Sequence, residues 1–110
     1  MPNTEIKTRK EIIGYCGVDS GQILITDPSY LGNWKDNEYG TSVPDGDYSY
    51  AGACDRTLAK GFDGQLDLGV VSRTGLGDGY YPVYATIADL GEWGERVVKI
   101  EIEFVNLESW

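Results

Sequence analysis

Between Arg96 and Val105, the residues Val98, Ile100, Ile102 and Phe104 alternate with Val97, Lys99, Glu101, Glu103 and Val105. Successive side chains of a strand point to opposite faces, so a period of two with one apolar and one largely charged face predicts a half-buried strand. Tyr80 to Ala88 predicts its partner, with Tyr81, Val83, Ala85 and Ile87 on one face and Tyr80, Tyr84 and Thr86 on the other. The segment between them, Asp89-Leu90-Gly91-Glu92-Trp93-Gly94-Glu95, is rich in turn formers, and the whole reads as an antiparallel hairpin. Pro82 has no amide to donate, which predicts an edge strand or an outward-facing position.

Three further strands are predicted at Gln22–Thr26, Asp47–Cys54 and Leu66–Ser72, and a weaker one at Glu11–Val18, where the alternation is broken. Asp27 before Pro28 forms a good cap and first-turn pair, but Gly32 and Asn33 follow at once and limit any helix to a single turn. The stretch from Asn33 to Gly46 is polar and reads as a long loop ending in a turn. The expected fold is therefore all-β and mainly antiparallel, with about six short strands in a small sandwich or barrel and little or no helix. Residues 1–110 are expected to form one domain, with 1–10 loosely ordered.

Composition narrows the function. Eighteen acidic residues against nine basic ones give a formal charge of −9. Such a chain is repelled by phosphate backbones and by anionic membrane surfaces, so neither nucleic acid nor membrane is an expected partner. Histidine is absent, which excludes imidazole-dependent nucleophile activation and His-ligated metal sites. Cys16 and Cys54 are too few and too widely spaced for a zinc knuckle. Residues 1–10 are polar with no apolar leader, and no run of about 18 apolar residues occurs, so a cytoplasmic protein with reduced thiols is expected. No cofactor and no metal are expected.

Three segments beside predicted strand ends combine acidic, glycine and aromatic residues, a composition suited to sites. The first, Gly17-Val18-Asp19-Ser20-Gly21-Gln22, carries an Asp-Ser-Gly of the kind used by aspartic proteases, which need two carboxylates sharing one proton. It reads more simply as a hairpin turn with Gly21 at positive φ. In the second, Thr26-Asp27-Pro28-Ser29-Tyr30, Asp27 could hold a hydroxyl or a cation and Tyr30 could stack on a ring; capping is the plainer role. The third runs from Gly75 through Gly77, Asp78, Gly79, Tyr80, Tyr81 and Pro82 to Tyr84. Its glycines allow close backbone approach and its tyrosines give broad amphipathic surface, although Gly-Asp-Gly is also an ordinary turn. The spacing of a calcium loop and of the phosphate-binding fingerprints is missing, Asp45-Gly46-Asp47 coming nearest to the former.

Val18-Asp19-Ser20-Gly21, Asp27-Pro28-Ser29-Tyr30 and Gly77-Asp78-Gly79-Tyr80-Tyr81-Pro82-Val83-Tyr84 together resemble a group of small uncharacterised proteins of bacteria and their phages. The group shares Val-Asp-Ser-Gly, Asp-Pro-x-Tyr and Gly-Asp-Gly-x-Tyr-Pro-Val-Tyr. The matching segments span most of the chain, the loop from Asn33 to Gly46 excepted. Members often have Cys at the place of Ser29. The resemblance brings no activity; it implies that the three segments belong to one site.

The function expected is a non-enzymatic binding module, with Asp19, Ser20, Asp27, Ser29, Tyr30, Gly77, Asp78, Gly79, Tyr80, Tyr81 and Tyr84 as its ligand-binding set and no catalytic residue. The partner is a small molecule or a host protein, and the phage resemblance implies sequestration of a host signalling molecule or a block on a host defence protein. An exposed sheet edge would also allow a homo-oligomer. The alternative is a carboxylate- or divalent-cation-dependent hydrolase using Asp19, Asp27 and Asp78.

Overall fold

A computed structural model describes residues 6–110. The fold is mainly antiparallel β-structure, the described residues forming six strands in two three-stranded sheets. These are β1 (Thr8–Val18), β2 (Gln22–Thr26), β3 (Asp63–Leu66), β4 (Gly69–Arg73), β5 (Gly79–Asp89) and β6 (Glu95–Ile102). One sheet has the order β1-β5-β6 and the other β2-β4-β3. The chain divides into two compact units, one made of the segment up to Gly17 together with Gly79–Trp110, the other of Val18–Asp78. Of residues 1–10, 1–5 lie outside the described residues, and Thr8 to Lys10 already belong to β1.

In the first unit the predicted hairpin is present, with Val83 opposite Ile102 and Asp89 opposite Glu95. A bulge between Thr86 and Ile87 shifts the register, so that Val97 and not Val98 continues the side that holds Ile100 and Ile102. β5 is the central strand, which excludes the first of the two alternatives drawn from Pro82, an edge strand, and leaves the outward-facing position. The proline lies near the strand's start, just before the paired run with β6 begins, and its carbonyl accepts the Glu103 N–H at 3.2 Å. Arg9 reaches Glu95 with an N–O distance of 2.6 Å. The predicted apolar face of β6 is only partly buried: Val98 and Ile100 remain 48% and 52% exposed while Ile102 is half-buried, and Ile13 on β1 is 57% exposed. A three-stranded sheet has no second layer of its own to cover such a face.

The second unit holds the packed core of Tyr48, Ala53, Leu66 and Val71, with Leu24 and Trp34 against it. β2 matches its prediction from end to end, because its β-branched run is bounded by turn residues on both sides. The strand predicted over Leu66–Ser72 is interrupted by a turn at Asp67-Leu68: Leu66 ends β3, Gly69 to Ser72 belong to β4, and the two form a hairpin with Leu66 opposite Gly69. The strand predicted over Asp47–Cys54 is also overturned. Tyr50–Cys54 is a short helix, α1, followed by a π-type turn over Asp55–Ala59. Ser49 caps it, its hydroxyl accepting the Gly52 N–H at 3.0 Å, and local satisfaction of that kind outweighs a period-two pattern built on Ala, Gly and Cys. The turn after Asp27 is longer than predicted, a 3-10 stretch over Pro28–Asn33.

Candidate functional site

Two of the predicted acidic segments meet, and the third does not. The loop after β4 doubles back on itself, the Thr74 hydroxyl donating to the Gly77 carbonyl at 2.6 Å. The Asp78 carboxylate then accepts the Gly21 N–H at 2.8 Å, while the Gly21 carbonyl accepts the Thr74 N–H at 3.1 Å. Gly21 has φ of 67°, as its turn reading requires. The turn around Asp19 and Ser20 is not a hairpin, however, since β1 and β2 belong to different sheets. Asp27 follows the far end of β2, and five strand residues rise roughly 16 Å, so it cannot join Asp19 and Asp78. Its carboxylate accepts the Ser29 N–H at 2.8 Å, and that bond lowers its pKa. Tyr30 remains on the 3-10 turn beside it, partly exposed.

The remaining members, Gly79, Tyr80, Tyr81 and Tyr84, are on β5 in the other unit. The Tyr81 ring stands edge-on to Phe104 at 5.3 Å, and the Lys10 ammonium lies 4.7 Å from the centre of the Tyr84 ring. Tyr80 is 81% exposed. Its ring lies close over β1, where a Cβ on Gly17 would come within 3.2 Å of it. Among the described residues, no group of three His, Cys, Asp or Glu side chains is arranged to hold a metal ion.

A cleft in the Val18–Asp78 unit offers what these loops do not. Its volume is about 640 Å³, and it is lined by Trp34 through Tyr39 and by Tyr50. Two of the lining residues are held by Asp47, a buried carboxylate that accepts Lys35 Nζ at 2.9 Å, Asn37 Nδ2 at 2.9 Å and, from outside the lining, Ser49 Oγ at 2.6 Å. These three hydrogen bonds, Ser49's the strongest, hold its pKa down to about 2. The backbone is tied down as well: Lys35 N–H donates to the Tyr48 carbonyl and Ala51 N–H to the Asn37 carbonyl, both at 3.0 Å. Trp34 packs edge-on against Tyr48, centroids 5.0 Å apart, so its ring is fixed from beneath. Below, Tyr48 and the Leu68 carbonyl share the Thr26 hydroxyl at 2.8 Å each; Thr26 donates to the carbonyl and so accepts the Tyr48 proton.

Trp34 and Tyr50 also line a smaller hollow of about 120 Å³ with Ser20 and Gln22. Gln22 ties β2 to the helical segment, its Nε2 donating to Cys54 Sγ at 3.5 Å and its Oε1 accepting the Thr57 hydroxyl at 2.9 Å. The Tyr50 phenol is held above its ordinary pKa, chiefly by its interaction with the Cys54 sulfur and by burial, with Asp19 adding to the shift and Ser20 opposing it. It is therefore a neutral donor at neutral pH. Ser20 lines this smaller hollow and Asp19 acts on Tyr50 through its charge, but neither lines the larger cleft, whose Trp34, Lys35, Asn37, Tyr39 and Tyr50 are absent from the sequence-derived set. Two signals pointed to them: aromatic Trp34 and Tyr39 within an otherwise polar loop, and Ser49 three residues before Gly52 as a cap.

Compared with protein-family models, with curated proteins and with solved structures, the chain matches none.

Proposed function

We propose that the protein is a non-enzymatic binding module whose ligand occupies the cleft between Trp34, Tyr39 and Tyr50. The observation that carries this reading is the combination of three aromatic side chains with Lys35 and Asn37, both tied to the buried Asp47, around one cleft of about 640 Å³. Small-molecule sites span roughly 300–1,000 Å³ and pair apolar faces with a few fixed polar groups. Preformed geometry matters because ordering loose side chains on binding costs affinity.

Binding is favoured over turnover by the chemistry of the buried carboxylate that holds the cleft's Lys35 and Asn37 in place. Asp47 is saturated with three donors, and with a pKa of about 2 it is a poor proton acceptor near neutral pH. The hydrolase alternative has less support, because β2 separates Asp27 from Asp19 and Asp78. Of the two kinds of partner that the phage resemblance implies, a cleft of this size suits a small host molecule.

The test is thermal unfolding against a panel of small molecules, neutral, anionic and cationic, for wild type and Tyr39→Ala. Tyr39 is 69% exposed, so its loss leaves the fold intact. A ligand at a hundredfold excess over Kd stabilises the folded state by about 2.7 kcal/mol. The expected result is a raised midpoint with at least one compound, reduced in Tyr39→Ala. A flat panel, or a shift indifferent to Tyr39→Ala and Asn37→Ala, contradicts the proposal.

A further inference from the structure

Resting on that reading of the cleft, the geometry points to a small organic cation, a methylated ammonium head group on an apolar body, as the ligand class. Three observations on the cleft lead there. Its walls carry Trp34, Tyr39 and Tyr50, and the face of an aromatic ring is electron-rich and attracts cations, with Trp the best of the three. Its one cationic side chain, Lys35, is committed to Asp47 at 2.9 Å, so its charge is compensated within the protein. Its two further charged residues, Asp36 and Glu38, are both acidic and exposed, and neither is ion-paired among the described residues.

The sign of the cleft follows from these groups. Lys35 and Asp47 cancel, leaving Asp36 and Glu38 uncompensated beside three aromatic side chains. An anionic nucleotide or phosphorylated ligand meets repulsion there and has no free cation to receive it. Asp36 and Glu38 can accept hydrogen bonds from a primary ammonium, but such a group is compact and strongly hydrated and gains little from the aromatic walls. A methylated ammonium is held by ring faces and nearby negative charge, and its methyl groups fill apolar space. The net charge of −9 adds a long-range field of the same sign.

The experiment compares choline with 3,3-dimethylbutan-1-ol, which has the same shape without the charge, by calorimetric titration at low and high salt. Wild type, Tyr39→Ala and the double variant Asp36→Asn with Glu38→Gln are used. The expected result is that choline binds about tenfold more tightly than the neutral compound, which corresponds to about 1.4 kcal/mol of cation preference. Tyr39→Ala loses that preference, and the acidic double variant and high salt both weaken choline binding. Equal binding of the two compounds, reduced in Tyr39→Ala, overturns the cation inference and leaves the cleft as the site. Choline binding that is indifferent to Tyr39→Ala and to the acidic variant overturns the inference and the cleft reading together, as does no binding of either compound by a protein that is also unmoved by the wider panel.

Discussion

At the scale of single residues, the side chain that most shapes the candidate site is one that touches no ligand. Asp47 draws Lys35, Asn37 and Ser49 onto one carboxylate and so fixes the strip of loop that forms the cleft. Its pKa falls from an ordinary 3.8 to about 2 on folding. A carboxyl lowered in the folded state contributes stability that is complete above its unfolded pKa and is lost as pH falls through the folded value. Stability should therefore decline between about pH 4 and pH 2. Asp47→Asn should flatten that decline while lowering the melting midpoint at neutral pH, measured by thermal unfolding across the acid range. An unchanged acid limb in the variant would show that Asp47 is not its source. Leu68 gives a second test, since it has φ of 68° at the β3–β4 turn and is the one non-glycine residue at positive φ among those described. A side chain there costs roughly 1–2 kcal/mol, and Leu68→Gly should return about 1 kcal/mol of it in denaturant unfolding, despite the usual entropic penalty of glycine. A clear loss of stability would mean that the leucine side chain, partly exposed as it is, packs better than its surface position implies.

At the scale of elements, legibility followed the reach of the forces involved. The β5–β6 pair and β2 could be read from sequence because alternation and flanking turn residues lie within each segment. The 47–54 segment could not, because its fate is decided by contacts with residues 35 and 37 and by the Ser49 cap, while its Tyr48/Tyr50 alternation mimics a strand. The Leu66–Ser72 run concealed a turn because Leu68 occupies a position where glycine or asparagine normally signals one. For the same reason Trp34, Tyr39 and Tyr50 were not singled out: proximity across a fold leaves no local pattern. Gly52 is a sharp test of how α1 is built. A Cβ there would sit 1.9 Å from the Asp47 carbonyl oxygen, so Gly52→Ala should destabilise by on the order of 3 kcal/mol even though alanine is the better helix former. Gly32, with nothing within 4 Å of its added Cβ, should tolerate the same change at a cost under about 0.5 kcal/mol. Equal costs at both sites in denaturant unfolding would contradict the close approach.

The two sheets differ as elements too. Leu66 is 1% exposed and Leu66→Ala should cost about 2–5 kcal/mol, whereas Val97, 60% exposed on β6, should accept threonine for less than about 1 kcal/mol. Chemical denaturation of both variants checks this contrast. A Val97→Thr cost equal to that of the core truncation would mean that this sheet face is covered in solution.

On the scale of the whole molecule, the packed core and the cleft belong to the Val18–Asp78 unit, while the tyrosine-rich strand that dominates the motif pattern belongs to the other. The described residues contain no helix long and apolar enough to cross a membrane. The acidic balance, a net charge of −9, favours the approach of cations to the surface at long range. The account therefore stands or falls on where a cationic ligand binds. The direct measurement is a titration of the ¹⁵N-labelled full chain with choline, followed by amide chemical shifts. Shifts concentrated at Lys35 to Tyr39 and at Tyr50, saturating together, are the predicted result. Shifts centred on Gly79 to Tyr84, or a spectrum that choline leaves unchanged, would contradict it.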